Sequence, residues 1–168
     1  TVSVGNWSWA SVDEAVAVGN NTLANNIAAT ALGSHAIAEG GQATAVGAAA
    51  TANGMLSSAF GSEANAYGAV SLAAGFKSEA ADESVAVGVG SKAVGKASVA
   101  VGIASEASAE RSMALGAGSI SSEINSVALG TDSITTAAKP IAGFAGATPV
   151  GVVSVGSAGN ERQIQNVA

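Results

Sequence analysis

The feature that most limits the possible folds is a glycine that recurs at a nearly constant interval, each time after a short alternation of small and apolar residues. Three of the copies are residues 15–19 (AVAVG), 84–88 (SVAVG) and 126–130 (SVALG). The ten glycines stand at positions 5, 19, 33, 47, 61, 75, 88, 102, 116 and 130, so the spacing is 14 residues in every case but one, which is 13. Fourteen residues suit one coil of two short strands and two turns, whereas a helical hairpin repeat is more than twice as long. The chain is therefore predicted to be an all-β solenoid of about ten coils stacked in parallel.

Within each copy, successive side chains of the strand must point to opposite faces. We assign the large residues just before the glycines to the core of the roll: Val18, Leu32, Val46, Phe60, Val87, Val101, Leu115 and Leu129. The alanines two residues before the glycines then face outward, and we assign them to an interface between subunits: Ala17, Ala31, Ala45, Ala59, Ala73, Ala86, Ala100, Ala114 and Ala128. The alternative is that alanine merely fits a thin coil. The recurring glycine is expected either to adopt a positive φ at a corner or to let another backbone approach closely.

Composition supports an ordered chain and excludes several function classes. Hydrophobic residues make up 48% of the chain but aromatic residues only 4%, so an ordinary core of large side chains is not expected. The net charge of −6 disfavours binding to nucleic acid. The lack of cysteine fits a secreted bacterial protein. No apolar stretch is long enough to span a bilayer, so we expect no membrane insertion by this fragment, and its start at Thr1 suggests a piece of a longer chain.

Residues that could carry catalysis or bind a metal are few. The single histidine, His35, follows a coil corner, and the many serines have no second histidine to activate them. Two acidic pairs, Asp13 with Glu14 and Asp82 with Glu83, precede strands, where carboxylates usually stay solvated. No phosphate-binding glycine loop is present. We therefore expect no catalytic residue, no metal site and no cofactor.

Trp7 and Trp9 are the only tryptophans, and both lie in the first coil. Their spacing places them on one face if the segment is a strand. One interpretation is an apolar cap over the end of the solenoid, which terminal repeats need. The other is an adhesion contact at the tip, because exposed aromatic residues favour interfaces.

Two motifs carry a resemblance to a known family. Residues 125–133 (NSVALGTDS) resemble the NSVAIGxxS coil in the heads of trimeric autotransporter adhesins of the YadA type, and the repeats extend this resemblance over about residues 1–135. Residues 159–168 (GNERQIQNVA) resemble the neck of the same family, which leads from the head into a coiled-coil stalk. The residues that match the neck include Arg162, Gln163, Ile164, Asn166 and Val167.

The resemblance implies a left-handed parallel β-roll that forms a homotrimer and ends in a neck. Because residues 137–153 break the 14-residue register, we divide the chain into head repeats at 1–136, an insertion at 137–153 and the neck at 154–168. The resemblance implies a non-catalytic adhesin that attaches to host cells or to matrix proteins of the collagen, fibronectin or laminin class. It also implies display on the bacterial surface, with an outer-membrane anchor in a C-terminal region absent from this fragment.

Two other solenoid classes fit the sequence less well. An acyltransferase built on hexapeptide repeats has a period of six, which does not divide fourteen, and it needs a catalytic histidine in a cleft. An ice-binding solenoid presents a ladder of threonines, and Thr30 and Thr44 are too few for one. The adhesin head is therefore the preferred prediction.

Overall fold

The computed structural model describes residues 1–140 and 148–167. Twenty short strands follow one another: β1 Val2–Val4, β2 Trp9–Ala10, β3 Val16–Val18, β4 Leu23–Ala24, β5 Thr30–Leu32, β6 Ile37–Ala38, β7 Thr44–Val46, β8 Thr51–Ala52, β9 Ser58–Phe60, β10 Asn65–Ala66, β11 Leu72–Ala74, β12 Glu79–Ala80, β13 Val85–Val87, β14 Lys92–Ala93, β15 Val99–Val101, β16 Glu106–Ala107, β17 Met113–Leu115, β18 Ile120–Ser121, β19 Val127–Leu129 and β20 Val153–Ser154. The described part of the chain holds no helix that could cross a membrane.

The strands form two parallel sheets that face each other as the walls of a solenoid. The odd-numbered strands β1 to β19, followed by β20, make an eleven-stranded sheet, which we call sheet A. The even-numbered strands β2 to β18 make a nine-stranded sheet, sheet B. Each strand pairs with its equivalent one coil later, as Val85 does with Val99, and the 13-residue spacing is absorbed between Leu72 and Val85 without loss of register. The predicted stack of about ten coils is thus confirmed.

The core lies on the opposite face of the strands from the one predicted. All nine alanines assigned to an interface, from Ala17 to Ala128, have no exposed surface and line the interior. The residues assigned to the core point outward instead: Val18 (36% exposed), Phe60 (44%), Val87 (36%), Val101 (40%) and Leu129 (46%), with Leu32, Val46 and Leu115 half-buried. Both assignments are therefore wrong, and the alternative of a thin coil is right.

The reason is the small separation of the two walls. Sheet B also turns alanines inward, among them Ala93 and Ala107, so alanine faces alanine across each coil. Serines before the strands fill the remaining space, and no fully buried side chain in the described residues is larger than threonine. Their hydroxyls donate to nearby backbone carbonyls, so the buried polar groups are largely satisfied. The single proton of Ser84 Oγ has two acceptors within reach, Ala81 O (2.6 Å) and Ala93 O (2.8 Å).

The recurring glycines are needed both because they adopt a positive φ at a corner and because another backbone approaches them closely. Gly102 has a φ of 138°, a region that side chains rarely adopt. A Cβ on Gly102 would also lie 2.5 Å from the carbonyl carbon and oxygen of Gly116 in the next coil. Neighbouring coils therefore stack in contact at this corner, and a side chain is excluded for two independent reasons.

The turns impose a further requirement on ordinary residues. Turns on both edges of the solenoid place a residue in the left-handed region, including residues with large side chains such as Leu56 (φ 59°) and Val70 (φ 55°). Such conformations are uncommon for a β-branched residue. The stacked backbone overrides this local preference, because each of these N–H groups bonds to the preceding coil, as Val70 N does to Met55 O (2.8 Å).

The chain leaves and rejoins the solenoid near its C-terminal end. Residues 141–147 of the expected 137–153 insertion lie outside the described residues. Beyond them β20 pairs in parallel with β19, Val153 opposite Val127, and so adds one more strand to sheet A. The chain therefore rejoins sheet A at Val153, and the predicted division into head, insertion and neck stays a prediction.

Candidate functional site

The outer face of sheet A is the most apolar surface of the rod. It consists of two columns of side chains, one three residues before each recurring glycine and one immediately before it. The first column is Val2, Val16, Thr30, Thr44, Ser58, Leu72, Val85, Val99, Met113 and Val127, and the second is Val4, Val18, Leu32, Val46, Phe60, Ala74, Val87, Val101, Leu115 and Leu129. No charged residue interrupts either column.

This face is as large as the largest apolar patches of ordinary monomers, which are often functional. Ten coils at about 4.8 Å each and a strand width of about 10 Å give an area of roughly 500 Å². A contiguous apolar surface of this size usually marks an interaction site. Phe60 and Ala74 pair in register, so the largest side chain of the second column lies beside the smallest. Ser58 and Leu72 show the reverse order in the first column of the same two coils.

The outer face of sheet B has a different character. Its N-terminal coils present Trp9, Leu23 and Ile37, whereas later coils present Glu79, Lys92 and other polar or charged side chains. One ion pair on this face, Glu79 with Lys92 (3.6 Å), links consecutive coils, and two more join neighbouring turns, Glu63 with Lys77 (3.5 Å) and Glu83 with Lys96 (3.2 Å). All are solvent-exposed and contribute little stability each. The charged coils of sheet B around β12 and β14 are thus suited to contact with water.

The turns carry two smaller apolar clusters that sequence reasoning missed. On the edge that leads from sheet B to sheet A, Ile27, Met55 and Leu56 border a shallow groove of about 310 Å³ where Gly41 supplies no side chain. On the other edge, three consecutive coils carry the exposed side chains of Phe76 (44% exposed), Val89 (49%) and Ile103 (63%). Only alignment of the turn positions, coil by coil, would have revealed them.

Titratable groups do not converge on a catalytic arrangement in the described residues. His35 is exposed, and its Nδ1 lies 2.8 Å from the hydroxyl of its neighbour Ser34. No group of three or more potential metal ligands occurs among the residues that the structure describes, and the two acidic pairs lie on separate turns. Burial raises the pKa of the Tyr67 phenol, and the carboxylates of Glu79 and Asp82 raise it further, which keeps this side chain neutral.

The two tryptophans are both largely exposed. Trp7 lies in the first turn with 79% of its surface exposed, and Trp9 lies on the outer face of β2 with 63% exposed. Neither the end-cap interpretation nor the adhesion interpretation is tested by these positions, and both stay predictions.

The residues matched to the neck differ in their contacts with the last coil. Gln163, Ile164, Asn166 and Val167 are exposed, Ile164 and Val167 at 66% and 74%. Arg162 instead folds back onto the last coil. Its Nη1 donates to Ser133 Oγ (2.9 Å) and Val155 O (2.9 Å), and its Nη2 donates to Thr131 O.

A parallel two-walled solenoid with an alanine interior and a long, mostly apolar outer face is typical of repeat proteins that bind through an extended surface. The model of the YadA head domain repeat matches residues 1–22, 24–50, 38–64, 80–105, 93–119 and 107–133, which together cover more than half of the chain. The chain therefore belongs to the family of YadA head repeats, and it is the head of a surface adhesin.

The comparison with solved structures supports the same family. The chain is similar to the collagen-binding domain of the Yersinia adhesin YadA, with 27% sequence identity, a TM-score of 0.60, and coverage of 92% of this chain and 72% of that one. No curated protein sequence matches the chain. The family and the fold favour a non-catalytic protein, and nothing favours the acyltransferase or the ice-binding alternative.

Proposed function

We propose that three copies of this chain associate through the outer face of sheet A, and that the resulting rod binds proteins of the host extracellular matrix, with collagen the first candidate. The observation that carries the association is the mostly apolar and uncharged outer face of sheet A, in which Thr30, Thr44 and Ser58 are the only polar members of the two columns. The predicted homotrimer is kept, but its interface moves from the buried alanines to the valine and leucine columns.

If sheet A of each subunit faces the axis of the trimer, the charged side chains of sheet B remain in water and the Phe60 ring has space at the interface. The outer face of sheet B, with its Glu79 and Lys92 side chains, then forms the outside of the rod. The small side chain of Ala74 beside Phe60 offers room for the aromatic ring when another apolar surface covers both. Coverage by further copies of the chain also removes a large apolar surface from water, at roughly 25 cal/mol per Å².

Matrix binding is supported by the similarity to a collagen-binding head. Because that similarity extends along nearly the whole chain, we expect binding through a surface repeated from coil to coil rather than through one pocket. Fibronectin and laminin are further candidates of the same class. In the complete protein, the neck leads into a stalk, and a C-terminal region anchors the adhesin in the outer membrane of the bacterium.

The test is a binding measurement with the 168-residue chain immobilised and triple-helical collagen, heat-denatured collagen, fibronectin and laminin passed over it. We expect saturable binding of triple-helical collagen, weaker binding of the denatured form, and no acetyl transfer or thermal hysteresis in parallel assays. Absence of binding to all four proteins by a correctly assembled trimer contradicts the proposal.

A further inference from the structure

The two side-chain columns on the outer face of sheet A compensate each other in size within several coils. Both members are valine in β1, β3, β13 and β15. In β9 the small Ser58 accompanies the large Phe60, whereas in β11 the large Leu72 accompanies the small Ala74. Two neighbouring coils therefore hold similar total bulk in opposite order.

The folding of a single chain does not require this compensation. Both columns point away from the core, and Phe60 keeps 44% of its surface exposed. Side chains on a solvated face can be exchanged at little cost, so water imposes no order of sizes. In β17 both members are indeed large, Met113 and Leu115. The reversal between β9 and β11 therefore indicates a surface that covers both columns and holds its own bulk in the opposite order.

A second copy of the same chain has that order. Around a three-fold axis each contact joins two different patches, so the first column of one copy faces the second column of the next. When all copies stand at the same height, Phe60 of one copy faces Ser58 of the next. One coil further on, Ala74 faces Leu72. A large side chain thus meets a small one at both levels.

A displacement of one copy by one coil removes this match. In one direction Phe60 meets Leu72, and two large side chains overfill the contact. In the other direction Ala74 meets Ser58 and leaves a void. The valine coils do not discriminate, because a shift from β13 to β15 places valine on valine again. A displaced contact also adds a translation at each step, so three copies cannot close into a ring.

We infer that β9 and β11 fix the register between subunits, because the reversed pairs Ser58–Phe60 and Leu72–Ala74 fit a second copy of this chain only at the same height. The inference rests on the proposed association through sheet A. It goes beyond that association by naming the four residues that decide between a closed trimer and a staggered assembly. The same reversal disfavours other head repeats whose bulk lies in different coils.

The test is whether chains with a different order of bulk assemble with each other. The exchange variant carries Ser58→Phe together with Phe60→Ser, which keeps the composition of the chain and reverses the order in β9. The matched control carries Thr44→Val together with Val46→Thr, an exchange of similar sizes on the same face one coil earlier. Each is coexpressed with the parent under a different affinity tag. Mixed trimers are isolated through both tags in succession, and the mass of all particles is measured by light scattering.

The exchange variant alone should form a trimer with the circular dichroism spectrum of the parent, because a large side chain still meets a small one at every contact. Mixed trimers with the parent should fall below about one tenth of the total, since each contains one contact between two phenyl rings and one between two serines. The control should mix freely, with about three quarters of its trimers mixed. Free mixing of the exchange variant overturns the inference, whereas a parent that scatters light as a single chain contradicts the association through sheet A instead.

The single substitutions keep the test decisive if the exchange variant does not fold. Ser58→Phe alone overfills each contact and Phe60→Ser alone leaves each contact underfilled. Each should raise the concentration at which half of the trimer dissociates by about ten-fold or more. When coexpressed, the two single variants should associate with each other in preference to themselves, because the added ring of one meets the added serine of the other. Weakened trimers without this preference would show that both residues act within their own coil, and the inference would fail.

Discussion

Ala100 is fully buried, whereas Val101, the next residue of the same strand, keeps 40% of its surface exposed. The two side chains point to opposite faces of β15, and only the smaller one fits between the walls. Ala100 pairs in register with Ala86 and Ala114, so the small interior continues into the coils on either side.

Ala100→Leu should unfold the solenoid readily. Three additional carbons would have to fit where alanine already faces alanine, and overpacking of this kind costs about 1–3 kcal/mol even in thicker cores. We expect a loss of about 3 kcal/mol in the free energy of unfolding, measured by denaturant titration with far-UV circular dichroism. Val101→Leu, which adds one carbon on the outward face, should cost less than about 1 kcal/mol. Equal losses would refute the placement of the core.

Val101→Asp should separate the subunits without unfolding the coil. A carboxylate on the outer face of sheet A is tolerated by water but not by a covered apolar interface, where an unpaired charge is costly. We expect the parent to scatter light as a particle of three 15.8 kDa chains and the variant to scatter as a smaller one, with its circular dichroism spectrum retained.

The control for this variant is Thr51→Asp, which places the same charge on the outer face of sheet B. It should leave the mass of the particle unchanged. If Val101→Asp remains as associated as Thr51→Asp, sheet A does not form the interface.

Gly102→Ala should be far more damaging than Gly90→Ala. A Cβ on Gly102 would collide with the backbone of Gly116 in addition to straining φ, whereas a Cβ on Gly90 (φ 65°) meets no atom within 4 Å. We expect Gly90→Ala to cost about 1–2 kcal/mol, the penalty of the left-handed region alone, and Gly102→Ala to cost clearly more. Thermal melting of both variants checks this order, and similar melting temperatures would argue against close contact between coils.

Val70→Gly should stabilise the chain. Val70 holds a φ of 55° while 57% of its surface is exposed, so glycine relieves strain and removes little packing. The relief of about 1–2 kcal/mol exceeds the flexibility cost of glycine, about 0.5–1 kcal/mol, and leaves a net gain of about 0.5–1 kcal/mol.

Val89→Gly provides the comparison, because Val89 is also an exposed turn valine (49%) but is not among the residues with positive φ. It should lower the melting temperature by the flexibility cost alone. A lower melting temperature for Val70→Gly as well would show that its backbone strain is not released by glycine.

The coil was predictable because a backbone requirement repeats in the sequence. Each glycine is needed at a corner, so its spacing reports the length of the coil directly. The inside and outside of the strands were not assigned correctly, because the usual preference of large apolar residues for the core was applied to a coil too thin to hold them. The pairs Glu79–Ala80 and Lys92–Ala93 contained the missing signal: the charged residue must face water, so alanine must face inward.

The contact of Arg162 with the last coil was beyond the reach of sequence patterns. The resemblance placed Arg162 in the neck, but Thr131 and Ser133 lie about thirty residues earlier, on the other side of an insertion that breaks the repeat. Nothing in the local sequence relates the guanidinium to the carbonyl groups of that coil. Only the path of β20 alongside β19 brings the two segments together.

The stacking of coils also determines how this rod responds to being pulled. Its strands run across the long axis and its hydrogen bonds run along it, so tension between a bound fibre and the neck loads the coils in series. The terminal coil then yields before the others, and one 14-residue coil that contributed about 4.8 Å of rod releases up to about 50 Å of extended chain. The head will lengthen in discrete steps under flow, and each step lowers the force on the contact that remains.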